Sequence, residues 1–148
     1  VSDAGWDWIA DLYARPGVKD ACLRLQDDHG VPVTLLLWGL WRASRGRFLD
    51  PPTAATLALS VEAEVTAPLR AVRRALSGAE DAAPARAAIL SAELAGERLM
   101  LDRLEALPEP EAPARGDVLA LLCAATGAHG EAVAADLAIL REAACLSP

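Results

Sequence analysis

Proline and glycine cut this chain into pieces of helical length, and within each piece the apolar residues recur at three and four positions rather than at two. Such spacing gathers side chains on one face of a helix, whereas on a strand the same residues would fall on both faces. The fold is therefore expected to be all-α, an antiparallel helical bundle of six to seven helices. The 148 residues suit a single helical domain: a main bundle over about 3–107, a proline-rich linker over 108–115 and a C-terminal helical pair over 116–146.

Asp3 is placed to cap a first helix with Trp6, Ile9, Leu12 and Tyr13 on one face, ended by Pro16-Gly17. A second helix, striped by Val18, Cys22 and Leu25, closes at Gly30, a residue suited to a left-handed C-cap. Pro32 opens a third helix from Val33 to about Arg45, whose Leu35, Leu36, Leu37, Trp38, Leu40 and Trp41 point in nearly every direction. A helix apolar all round belongs at the centre, so this Trp/Leu-rich helix is expected to be buried. Arg42, Arg45 and Arg47 crowd its end, where the helix dipole favours cations, and are expected at the surface.

Thr53 is expected to cap a fourth helix striped by Leu57, Val61, Val65, Leu69, Val72 and Leu76. Pro68 removes a backbone donor inside it, which predicts a kink just before that residue. Ser77 to Ala83 reads as a turn, and Pro84 opens a fifth helix running to Leu107. Pro108-Glu109-Pro110-Glu111-Ala112-Pro113 is too proline-rich to stay helical; two last helices are expected near Asp117 to Ala125 and Glu131 to Leu146.

Composition closes off several function classes. Hydrophobic residues make up 53% of the chain and charged ones 24%, enough to bury a core, so global disorder is excluded. Fourteen basic against twenty-one acidic side chains give a net charge of −7, which repels phosphate backbones, and no nucleic-acid partner is expected. The longest near-apolar run, Val31 to Trp41, falls well short of the ~20 residues a spanning helix needs, so no membrane span is expected. Cys22, Cys123 and Cys145 are odd in number and lack C-x-x-C spacing, which signals neither a disulfide framework nor a zinc site and fits a reducing cytoplasm. The opening Ser2-Asp3-Ala4-Gly5 has neither the basic start nor the apolar stretch of a secretory signal.

The sharpest anomaly lies on the fifth helix, where Leu90, Leu94, Glu97, Leu101 and Leu104 recur at helical spacing and put Glu97 amid a leucine face, with Glu93 at its margin. A carboxylate there needs a partner. Arg73, bordering the apolar stripe of the preceding helix, is the first candidate, while Arg70 and Arg74 point further outward; Arg70 is the second. The plain reading is a Glu97–Arg73 ion pair, and Glu97→Ala is then expected to destabilise more than Glu105→Ala. The alternative makes Glu93 and Glu97 acid/base or metal-binding groups facing a cavity. Neither glutamate has a histidine three residues on, which disfavours a carboxylate-bridged di-iron site; no metal and no cofactor are expected.

Two further groups stand out. Gln26, Asp27, Asp28 and His29 concentrate polar chemistry at one helix end, where capping and pairing with arginines explain them most simply. Every aromatic residue falls in the first third of the chain, and Trp6, Tyr13, Trp38 and Trp41 are candidate walls of an apolar pocket between the first three helices. Arg42 and Arg45 follow Trp38 and Trp41 by four residues each, the spacing for stacking on an indole.

The stretches Tyr13-Ala14-Arg15-Pro16-Gly17-Val18, Ala21 to Gly30, Val33 to Trp38, Pro68 to Arg74 and Glu93-Leu94-Ala95-Gly96-Glu97-Arg98 together resemble a bacterial family known as domain of unknown function 2390. The likeness spans roughly Trp6 to Leu104. It implies a small bacterial helical protein and brings no activity with it. The family usually has aspartate and asparagine where this chain has Pro32 and Thr34, which implies that a ligand held by those two polar groups is not held here.

With no catalytic constellation in view, the sequence points first to a non-catalytic protein–protein interaction or regulatory adaptor, and is compatible with a homo-oligomer. The other reading is a binder of, or enzyme acting on, a small, largely apolar molecule, through the aromatic cluster and the Glu93/Glu97–Arg70/Arg73 surface. An exposed apolar groove over a filled core would favour the first; an enclosed cavity of several hundred Å3 reaching Glu97 would favour the second.

Overall fold

Every residue from Thr34 to Leu40 is buried, as a helix apolar on all sides requires, and the other helices are arranged around this one. The structure, a computed structural model, describes residues 3–145. Its helices are α1 (Asp3–Tyr13), α2 (Val18–His29), α3 (Val33–Ser44), α4 (Pro51–Val61), α5 (Ala67–Ala75), α6 (Ala83–Glu105), α7 (Val118–Ala125) and α8 (Glu131–Ala143). A π-helical turn, Glu62–Thr66, joins α4 to α5 without a break. Counting that rod once, the described residues form seven helices and no strand, so the all-α class holds.

Central α3 packs against α1, α2, α4, α6 and α7, while α5 lies on α6 and α8 on α2. Gly30 adopts the left-handed conformation (φ 68°) that a side chain would resist, and its N–H donates to the Gln26 carbonyl at 3.0 Å, closing α2 as expected. Residues 108–117 are irregular, and the helices beyond them return to the main bundle. Arg24 of α2 pairs with the buried Asp136 of α8 at 2.5 Å, and Arg15 donates to the Ala143 carbonyl near the end of α8. The expected end of the last helix at Leu146 lies outside the described residues.

The fourth helix departs from expectation in three ways. It starts at Pro51, not after Thr53, because two prolines fill the first turn, where no intrahelical donor is needed, and Asp50 caps it by accepting from the Thr53 N–H at 3.2 Å. Its buried positions in α4 are mostly small, Ala54, Ala55 and Ala58, which let α7 approach closely.

The third departure matters most. Proline at 68 has no N–H for the carbonyl four residues back, and the chain answers with the π turn, in which the Ala67 N–H reaches the Glu62 carbonyl five residues back. A π turn takes in one extra residue, so every later position is rotated by about one residue's worth, ~100°, relative to a straight α-helix. The inward face therefore moves from Val65, Leu69 and Val72 to Thr66, Arg70 and Arg73. Thr66 and Arg70 are buried, whereas Val72 is 50% exposed. Arg70, expected to point outward, is thereby turned into the molecule.

Candidate functional site

Where α5 and α6 face α1, α2 and α3, they leave a cavity of about 580 Å3. Ile9, Val33, Leu37 and Leu101 give it an apolar wall; Tyr13, Gln26 and Thr34 add polar groups. Arg70, Arg73, Glu93 and Glu97 line the side formed by α5 and α6, and the exposed Lys19, Arg74, Leu90 and Leu94 stand at its rim.

The rotation after the π turn sets the charge geometry. Glu93, 4% exposed, accepts from Arg70 Nε at 3.0 Å and from Arg73 Nε at 2.6 Å, and Arg70 Nη1 donates to Glu62 at 2.6 Å. Glu62 in turn accepts from the Thr66 hydroxyl, so the π turn is fastened to the arginine it presents. Burial works to raise the Glu93 carboxyl, but the hydrogen bond from Arg73 and the charges of Arg73 and Arg70 outweigh it and hold the group below its ordinary range.

Close packing keeps this arrangement in place. A Cβ on Gly96 would lie 2.9 Å from Val65 Cγ1 and 3.1 Å from Thr66 Cγ2, so α6 meets the π turn at a contact that only glycine fits without displacement. One residue further on, Glu97 faces the cavity.

The expected Glu97–Arg73 ion pair is not formed; Arg73 is bonded to Glu93 instead. With the register shifted, the buried partner of the arginines is the glutamate one turn earlier. Glu97 is left partly buried with none of the hydrogen bonds or ion pairs that Glu93 collects. Burial and the negative charge of Glu93 push its carboxyl up to about 7, the charge of Arg70 only partly opposing them. The Tyr13 phenol across the cavity is raised as well, first by burial, with Cys22 and Glu97 adding to it.

Leu101 and Leu104 are buried beside this glutamate, but Leu90 and Leu94 are 43% and 46% exposed, so the leucine face is half core and half cavity rim.

The other sequence candidates divide cleanly. Trp6, Tyr13 and Gln26 line the cavity. Asp27 binds Arg74 at 3.0 Å beside the rim, and this contact outweighs desolvation to lower its carboxyl, while Asp28 and His29 lie away from the lining at the end of α2. Trp38 and Trp41 are not cavity walls. Trp38 is core, its indole N–H donating to Glu105 at 2.9 Å, and Trp41 packs on Trp8 with ring centroids 5.5 Å apart. Thr34 lines the cavity.

A second arginine–glutamate network occupies the far end of α6. Arg42 was expected at the surface, yet it is 2% exposed, lies over the Trp38 ring at 5.3 Å and sits 3.6 Å from both Glu105 and Glu109. Its guanidinium also donates to the Phe48 carbonyl, and Arg47 joins the same two glutamates. Glu109 accepts from the Phe48 N–H at 2.7 Å, so a residue of the proline-rich linker clamps the loop after α3. Arg45 stacks on Trp41 at 4.3 Å, the contact its spacing allowed. Glu105 and Glu109 were missed as partners because the only signal was Arg42 four residues after Trp38, and nothing local ties that turn to a linker sixty residues away.

Among the described residues no group of three or more His, Cys, Asp or Glu side chains is placed to hold a metal ion, and no helix is long and apolar enough to cross a membrane. The thiols of Cys22 and Cys123 are pushed up by burial to about 12 and about 11, which keeps both as thiols.

Fold and site together define an all-α protein whose cavity is enclosed by α1, α2, α3, α5 and α6, with α7 and α8 packed behind. The chain belongs to the family described as Protein of unknown function (DUF2390), which it matches over residues 4–104. That span contains every element of the cavity and stops short of α7 and α8. No curated protein and no solved structure matches the chain.

Proposed function

We propose that this protein binds a small amphipathic molecule in the α1–α2–α3–α5–α6 cavity. The observation that carries the reading is a cavity of about 580 Å3 that reaches Glu97, within the ~300–1,000 Å3 range of small-molecule sites. It joins an apolar wall to a few convergent polar groups, the combination that fixes both affinity and orientation of a ligand. Arg70, Arg73 and Glu93 form the rigid side of the site, Tyr13 and Glu97 its polar contacts, and Trp6 its aromatic wall.

One observation favours the adaptor reading instead: Val72, Leu90, Leu94 and Leu99 are large apolar side chains left exposed on α5 and α6. A single experiment separates the two. The neutral fluorophore 1-aminoanthracene is titrated into the wild type and into Ala10→Trp, a substitution at an exposed α1 position on the cavity lining. Saturable one-to-one binding that is lost in A10W, with helicity and melting retained, supports the cavity reading. No saturable binding, or binding that A10W leaves untouched, overturns it.

A further inference from the structure

The charges around the cavity are unevenly matched. Arg70 is held by Glu93 and Glu62, Arg73 by Glu93 and Arg74 by Asp27, so every arginine of the lining already has a carboxylate from this chain. Lys19 stands exposed at the rim, where water solvates it. An anionic ligand would have to compete with Glu93 for its arginines. Glu97 is the reverse case: a carboxyl inside the cavity that no guanidinium or N–H among the described residues engages.

The groups facing it are few. Glu93 lies one turn back on α6, Glu62 on the π turn, Arg70 and Arg73 on α5, and Tyr13 on α1. Of the lining from α2 and α3, only Lys19 is charged. Arg98, the next residue on α6, is turned away onto Asp3 and the Trp6 ring. A ligand filling the cavity would displace the solvent around this carboxylate. It must then bring a hydrogen-bond donor, a positive charge above all, or leave Glu97 to take up a proton.

Building on the binding reading above, we propose that the ligand is a primary amine with an apolar body, its ammonium seated on the Glu97 carboxylate and its body against Ile9, Leu37 and Leu101. The ammonium supplies the charge-assisted hydrogen bond that the fold withholds from Glu97. An amine stays protonated well above neutrality, so its affinity follows the ionisation of Glu97 and rises with pH across the neutral range.

Three probes of one skeleton test this: 4-phenylbutylamine, 4-phenylbutan-1-ol and 4-phenylbutanoate, titrated calorimetrically into the wild type, Glu97→Gln and A10W. The amine is expected to bind at least ~10-fold more tightly than the alcohol at pH 8, a charge-assisted contact being worth at least ~1.4 kcal/mol more than a neutral one. Its affinity should fall about tenfold between pH 8 and pH 6, as a carboxyl that titrates near 7 goes from mostly ionised to mostly protonated. In E97Q the amine should drop to the level of the alcohol and lose its pH dependence.

An amine that binds no better than the alcohol, a carboxylate that binds best, or an affinity unchanged in E97Q overturns the amine assignment. Binding of the alcohol that A10W abolishes would leave the cavity reading standing in that event. Failure of all three probes and of 1-aminoanthracene overturns both. Should E97Q not fold, the wild-type pH profile decides alone, and a flat profile from pH 6 to 8 contradicts the proposal.

Discussion

The middle and the C-terminal end of α6 solve the same electrostatic problem with opposite outcomes. At the C-terminal end, Glu105 and, four residues on, Glu109 are surrounded by Arg42, Arg47, the Trp38 indole and the Phe48 backbone, and both carboxyls are lowered. In the middle, Glu93 takes both arginines and Glu97 takes neither. The first network gives each carboxyl its donors and closes a loop, although Nε and Nη1 of the buried Arg42 are left without a hydrogen bond. The second holds one carboxyl in reserve against an open cavity, which is how a binding site differs from a staple: paired carboxylates make structure, and an unfilled one makes a contact for something else.

The contrast can be broken most forcefully at Glu93. Glu93→Ala leaves the buried Arg70 without its carboxylate on α6, and should destabilise by about 3–5 kcal/mol in urea denaturation. A loss under 1 kcal/mol would mean that the pair contributes nothing to the packing of α5 on α6. Next comes Glu105→Ala, expected to cost about 1–3 kcal/mol, because the Trp38 N–H loses its acceptor and the buried Arg42 loses one of two neighbouring carboxylates, while Glu109 remains.

Gly96→Ala should cost about 1–3 kcal/mol by overpacking, since the new methyl meets Val65 at 2.9 Å. A neutral G96A would show that the π turn yields easily. The smallest loss on substitution belongs to Glu97, whose replacement removes an unfavourable buried charge. The folded state holds its proton above the range in which the unfolded chain releases it, so stability declines as pH rises from 4.5 to about 7 and is level beyond. Glu97→Gln should flatten that decline and melt at or slightly above the wild type at pH 8. Glu93 has the opposite sign, its contribution being present above the ordinary carboxylate range and lost as pH falls through its lowered value.

The ranking of Glu105 above Glu97 reverses the order expected from spacing alone, and the reason lies in Pro68. The sequence shows the proline and predicts a disturbance before it, but not whether the helix bends or takes in an extra residue. That choice depends on the contact with Gly96 and on Glu62 reaching Arg70, neither of which is local. Central α3 and the Gly30 cap were legible because hydrophobic periodicity and glycine act locally, whereas the start of the fourth helix at Pro51 was not. The site was legible as residues, Arg70, Arg73, Glu93 and Glu97, and illegible as pairs, because pairing turned on a rotation of one residue. The Arg42 network escaped notice for a similar reason, one of its carboxylates, Glu109, arriving from a linker that composition alone marks as solvent-facing.

The account stands on an asymmetry between two glutamates one turn apart, and carboxyl-carbon NMR of glutamate-labelled protein, with assignments from E93Q and E97Q, reads both in one titration. Glu97 should titrate near 7 and Glu93 below the ordinary carboxylate range. Two ordinary, overlapping titrations, or a raised Glu93 with a depressed Glu97, would contradict it.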